Sequence, residues 1–218
     1  MRKRTAPPAS HAARAAEAGP RMRDAQKAAT RAKIVAAARD LFTERGYHSA
    51  TVRDITARAG VSTGSLFTSF TGKAGLLQEI VQARLEGLLN HARGALGRGE
   101  SAEGILISMG RLAYAYEAKE LRLLAESIGA SWTWDREIEE ANRRSLAGLL
   151  EMIASVLEMG KARGELAADA DVVVLTHTIF SCYLQNFRLA IYDDWPPDRM
   201  ADLLGQQIRL VLQGASQR

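Results

Sequence analysis

The 218-residue chain has one cysteine, Cys182, so no internal disulfide can form and the composition fits a reducing compartment. Long apolar runs are missing: nothing approaches the roughly 18 residues of a membrane helix, which excludes a spanning segment. The opening Met-Arg-Lys-Arg-Thr-Ala-Pro-Pro is positive but has no apolar stretch behind it, so no secretory signal is expected. Alternating strand patterns are absent, and the expectation is an all-α protein. His11, His48, His91 and His177 are scattered, with no Cys or carboxylate at metal-ligand spacing. Gly94 to Gly99 is glycine-rich but lacks the Lys-Ser/Thr of a phosphate loop, and reads as a helix junction. Neither a metal, a cofactor nor an acid–base site for catalysis is expected.

Acid is scarce at the front. Residues 1–73 hold 14 Lys/Arg against 5 Asp/Glu, a balance of +9, while the whole chain carries only +4. A basic front on an acidic remainder (+4 less +9, or −5) directs attention to a polyanion at one end. Residues 1–27, rich in Ala, Pro and Arg and poor in large apolar residues, read as a disordered basic arm.

What is present is helix after helix. Ile34, Ala38, Leu41 and Phe42 make one stripe, ended by Gly46. Thr51 is an N-cap with Asp54 three residues on, close to a capping box, and Gly60 stops that helix. Ser62 caps the next, with Val61 and Leu66 placed as a hydrophobic staple. Leu66 and Phe70 face inward and leave Thr63, Ser65, Thr68 and Ser69 outside, small polar groups able to meet phosphates and base edges. A longer helix runs from Thr71 to about residue 93. Others are expected at about 101–118, 120–129, 134–161, 170–192 and 197–213, the last opened by Pro196 and Pro197.

The helix at 170–192 has two apolar stripes, one containing Val173, His177, Phe180, Leu184, Phe187 and Ile191. A second stripe needs a second cover. Together with Leu204, Ile208 and Val211 on the last helix, the expectation is a two-fold four-helix interface, a central position within the chain's own domain being the alternative. Met109, Tyr114, Tyr116, Trp132, Trp134 and Met152, with His177, are candidate walls of a cavity for an apolar or cationic small molecule; ordinary core packing is the alternative.

The stretch Ile34 to Leu77 resembles the DNA-binding domain of TetR-type transcriptional regulators. The matching residues are Ala37-Ala38, Leu41-Phe42, Gly46-Tyr47, Thr51 to Ile55, Ala59 to Ser62, Gly64 to Phe67, Phe70, Lys73 and Leu76-Leu77. The resemblance implies a three-helix DNA-binding domain (28–75) followed by a larger helical effector-binding and dimerisation domain (76–216). It implies that Ser62 begins the recognition helix and that Thr51, Arg53, Ser62, Thr63, Gly64, Ser65, Phe67, Thr68 and Ser69 face DNA, with Lys73 on phosphate. Phe67 stands where the family usually has tyrosine, and Ser69 where histidine or tyrosine is common. The partners implied are double-stranded DNA, a second copy of the chain and a small-molecule effector, in a bacterial cytoplasm. The function implied is a repressor on a palindromic operator; an activator, or a nucleoid-organising or division-control factor on the same fold, are the alternatives.

Overall fold

The computed structural model describes residues 11–93 and 100–216. The first ten residues and Gly94 to Gly99, read above as part of the arm and as a junction, lie outside the described residues. Nine α-helices make up the described chain: α1 (His11–Arg45), α2 (Val52–Ala59), α3 (Thr63–Ser69), α4 (Lys73–Arg93), α5 (Ala102–Glu117), α6 (Leu121–Ser131), α7 (Arg136–Ala162), α8 (Val172–Tyr192) and α9 (Pro197–Gln213). A single 3₁₀ turn at Ala118–Glu120 links α5 to α6.

The amino-terminal three helices close on Ile34, Leu41, Phe42, Ile55 and Leu66, all essentially without solvent exposure. These are the stripe residues of α1, α2 and α3, and burying them is the main term that holds the three helices together. Arg31 fastens α1 across this unit: its guanidinium donates to the Glu79 carboxylate at 2.6 Å and to the Ser69 carbonyl at 3.2 Å. It also stacks 4.2 Å from the centroid of Phe70.

α4 begins in this unit and continues into the larger one, so the domain boundary expected at 75/76 falls inside a continuous helix. Its buried residues Leu76, Leu77 and Ile80, then Val81, Leu85 and Leu88, run through one continuous core. In the larger unit α9 lies against α5 and α8, and α7 against α4 and α8, with the Tyr114 ring of α5 packed on Tyr183 and Phe187 of α8. Gly110 of α5 makes the α5–α9 approach possible, because a Cβ there would collide with Leu204. The Ala167 amide donates to the Ala215 carbonyl at 2.8 Å, which sets the start of α8 beside the end of α9 and makes that pair antiparallel.

Two expectations change here. α1 starts at His11, so residues 11–27 of the expected arm are helical; an Ala-rich, weakly apolar segment lacks a core but keeps the strongest helix propensity. On α8 the buried side is Leu175, Thr176, Ile179, Tyr183, Asn186, Phe187 and Ala190. Phe187, Leu204 and Ile208 are at most 2% exposed within one chain and therefore are not free to form an interface. The double stripe of α8 is covered only in part by its own protomer: Leu175, Ile179 and Phe187 are buried, Phe180, Leu184 and Ile191 are half-buried, and Val173 and His177 stay exposed.

Candidate nucleic-acid interface and effector cavity

α2 is held open at its start by a full capping box. The Thr51 hydroxyl accepts from the Asp54 amide at 3.1 Å, and the Asp54 carboxylate accepts from the Thr51 amide at 3.1 Å and from its hydroxyl at 2.6 Å. The Thr51 hydroxyl hydrogen bond holds the Asp54 carboxyl below its ordinary value. The helix ends on Gly60 at φ +66, in the left-handed region that favours glycine, and the Val61 amide returns to the Thr56 carbonyl at 3.0 Å. This tight turn sets the angle between α2 and α3.

α3 is anchored by Leu66, fully buried, and by Phe70 just beyond its end. Thr51, Arg53, Ser62, Thr63, Gly64, Phe67 and Thr68 are exposed; Ser65 and Ser69 are half-buried. Several hydroxyls are engaged locally. Ser62 and Ser65 share a 2.9 Å hydrogen bond, Ser62 also accepts from the Ser65 amide, and Thr68 donates to the Gly64 carbonyl at 2.9 Å. Thr63 has no such bond among the described residues, and Phe67 presents a ring 58% exposed. An exposed hydroxyl and an aromatic edge on one short helix suit base edges and thymine methyls.

Lys73 departs from its expected role. Its ammonium donates to the carbonyls of Tyr47 (2.7 Å), Ala50 (3.0 Å) and His48 (3.3 Å), and lies 4.4 Å from the Tyr47 ring centroid. A lysine has three donors, and all three are spent on the loop between α1 and α2. Lys73 is therefore a clasp within the protein rather than a free phosphate contact. Arg58 is likewise occupied by Glu44, at 2.8 Å on both nitrogens. Arg45 and Arg53 make no salt bridge among the described residues, and Arg23 and Lys27 are exposed on α1.

The larger unit encloses a cavity of about 520 Å³, walled by α4, α5, α6, α7 and α8. Trp132 and Trp134 line it as expected for an effector site, and Trp132 stands 86% exposed. A narrow slot of about 40 Å³, walled by Met109 and apolar neighbours, shares Leu88, Leu149, Phe180 and Tyr183 with it. Tyr114 and Met152 are packed in the core and line neither space. The Tyr114 hydroxyl donates to the Tyr183 carbonyl at 3.0 Å, and burial pushes its pKa up. Tyr116, two positions on, turns to the other side of α5 and lies against Gly87. His177 is exposed, on the side of α8 opposite Ile179 and Tyr183. Phe180 and Leu184, expected at a dimer interface, line the cavity instead.

Two wall residues escaped the sequence reading: Arg84 and Glu117, 4% and 2% exposed. Their signal was a charge set into an apolar helical stripe, Arg84 between Val81 and Leu88, Glu117 after Ala113 and Tyr114. Position in the stripe, rather than residue type, gave them away.

Residues 34–80, from the end of α1 through the first turns of α4, match the family model for bacterial regulatory proteins, tetR family. These residues thus form a DNA-binding domain of the tetR type. The transcriptional regulator UidR of Escherichia coli K12 is 24% identical over 159 residues, covering 69% of this chain and 76% of that protein. The transcriptional repressor KstR2 of Rhodococcus jostii is 29% identical over 154 residues, covering 67% and 72%. Among solved structures, FadR of Thermus thermophilus, a transcriptional repressor in complex with lauroyl-CoA, aligns with a TM-score of 0.71 at 27% identity, over 86% of this chain and 96% of that one. FadR of Bacillus subtilis, in complex with stearoyl-CoA, shares the fold at a TM-score of 0.70 and 20% identity, over 84% and 97%. A chain that carries this domain is a helix-turn-helix DNA-binding regulator of transcription. None of its described helices is long and apolar enough to cross a membrane.

Proposed function

We propose that this protein is a repressor that binds a palindromic operator as a homodimer and is released by a small molecule entering the larger unit. One observation carries the reading: α4 belongs to both halves. Its first residue, Lys73, clasps the α1–α2 loop, and about two to four turns later Val81, Arg84, Leu85 and Leu88 form a wall of the cavity. A ligand that shifts this wall moves the seat of the DNA-binding unit, which is a coupling between two sites through one rigid element. A second contact supports it: α6 and the 3₁₀ turn before it reach the end of α1, where Arg122 approaches the Glu44 carbonyl and Arg39 lies 3.6 Å from Glu120.

The contact set on DNA is Thr63, Phe67, Thr68 and Ser62 toward the bases, with Arg53 and the free start of α2 toward phosphate. Val173 and Val174 at the start of α8 and Leu210 near the end of α9 are 59–70% exposed and lie at one end of the antiparallel pair. With half-buried Val211 they supply an apolar face for a second copy, while half-buried Ile191 and exposed Tyr192 lie at the opposite end of α8. Two solved neighbours carry acyl-CoA, and the cavity here has room for an apolar chain, which supports an effector with an apolar body. Selection of bound DNA from a random pool tests the reading. The expected product is an inverted repeat with half-sites about 34–36 Å apart; a pool without two-fold symmetry overturns it.

A further inference from the structure

We propose that the larger cavity takes a molecule with an apolar body and a carboxylate end, and that the carboxylate is seated on Arg84. This rests on the reading of that cavity as the effector site and adds the chemical class of the effector.

Arg84 is 4% exposed, and its countercharge among the described residues is Glu117, with Nε 3.1 Å from Oε2. The two are close but off the line of a hydrogen bond: Nε and Nη1 of Arg84 and Oε2 of Glu117 all lack a hydrogen-bond partner among the described residues. A guanidinium carries five donors in a fixed fork, and burying it against one poorly aligned oxygen leaves most of its lost hydration uncompensated. The Tyr183 hydroxyl and the Trp134 indole N–H, on the same cavity wall, are also without partners. The wall therefore holds an excess of unspent donors. A carboxylate supplies two acceptor oxygens and is the group that matches a guanidinium fork bidentately.

A cationic ligand finds less. Glu117 faces Arg84, and Glu139 is already bonded to Arg143 at 2.7 Å, so both acidic groups of the wall have a basic neighbour. Burial pushes the Glu117 carboxyl up, against the pull of Arg84, so a second carboxylate at Arg84 meets a neighbour that takes a proton more readily than an ordinary glutamate. The remaining wall is apolar, through Leu85, Leu88, Leu124, Ile128 and Phe180. That is the complement of a hydrocarbon body.

The test uses the full chain with its selected operator and five probes of one chain length: decanoate, decan-1-ol, methyl decanoate, decanoyl-CoA and decyltrimethylammonium. Calorimetry reads binding, and operator release reads the response. The expected result is that decanoate binds at least tenfold tighter than the alcohol and the ester. The double substitution Arg84→Met with Glu117→Met replaces the pair by apolar side chains, a change buried pairs often tolerate, and is expected to erase that preference. Trp134→Phe, which removes one N–H, is expected to weaken decanoate severalfold and leave the alcohol unchanged. Circular dichroism confirms the fold of each variant. Equal binding of alcohol and acid, a preference that survives the double substitution, binding of the thioester or the ammonium alone, or binding of no probe each overturns the proposal. Operator selection without any probe keeps the outcomes apart: a protein that selects an inverted repeat but ignores decanoate sinks only this inference.

Discussion

At the scale of single residues, the same type of side chain does opposite jobs according to where its donors go. Lys73 and Arg53 are both cations of the DNA-binding unit, yet three carbonyls absorb Lys73 while Arg53 is exposed. Lys73→Met is expected to destabilise the protein by about 2 kcal/mol, the magnitude for hydrogen bonds to a charged group, as read by urea unfolding. At a temperature where the variant is folded, the salt dependence of its DNA binding should match the wild type. Arg53→Ala should do the reverse, leaving stability within about 0.5 kcal/mol and lowering the salt slope of binding by about one. A Lys73 variant that is fully stable but has a reduced salt slope would show that its ammonium leaves the carbonyls for phosphate. Phe67 gives a gain test: Phe67→Tyr adds a hydroxyl to an exposed ring, and a new phosphate bond of about 1 kcal/mol would tighten binding roughly fivefold on every sequence. Gel-shift titrations on two unrelated sites check whether the gain is uniform.

At the scale of elements, the helices were legible wherever a cap or an apolar stripe declares itself locally. Thr51, Gly60, Ser62 and Pro196–Pro197 each mark an end that the structure keeps within a residue or two, because capping chemistry needs only near neighbours. What failed was everything that depends on which other helix arrives. The stripe Phe180–Leu184–Phe187 looked like a surface awaiting a partner, yet Phe187 is buried against the rings of Tyr114 and Tyr183 while Phe180 and Leu184 line the cavity. The local turn is itself testable. Gly60 at φ +66 has open space around its Cβ position, so Gly60→Ala tests backbone strain alone; it is expected to cost about 1–2 kcal/mol, and Gly60→Asn less. Asp54 offers a pH handle on the same element. Its carboxyl is held below the ordinary 3.8 by Thr51, so its contribution is complete above that value and is lost as the pH falls through the lowered one. Asp54→Asn should therefore be less stable than the wild type at neutral pH, and the two thermal midpoints should converge in acid. A gap that persists at pH 2 would assign the effect to shape rather than charge.

At the scale of the whole molecule, the buried residues of the DNA-binding unit, such as Ile34, Phe42 and Leu66, and those of the larger unit, such as Ile179, Phe187 and Ile208, belong to one continuous core. Only substitutions at exposed positions therefore separate DNA binding from dimer formation without touching the fold. Two recognition helices on one duplex gain from being tied together, since the second half-site is met at an effective concentration set by the tie rather than by the solution. Val174→Glu combined with Leu210→Glu places charge on residues 59% and 70% exposed, so the protomer fold has no reason to suffer. The pair is expected to give a monomer by sedimentation, with thermal unfolding close to that of the wild type. Its affinity for a full operator should fall by at least a hundredfold while its affinity for an isolated half-site stays the same, because α3 is untouched. If the doubly substituted chain remains dimeric, the second copy docks elsewhere, and the exposed valines and leucine of α8 and α9 are ordinary surface; if it is monomeric and yet binds the full site as tightly as before, the two-fold tie contributes nothing to operator recognition.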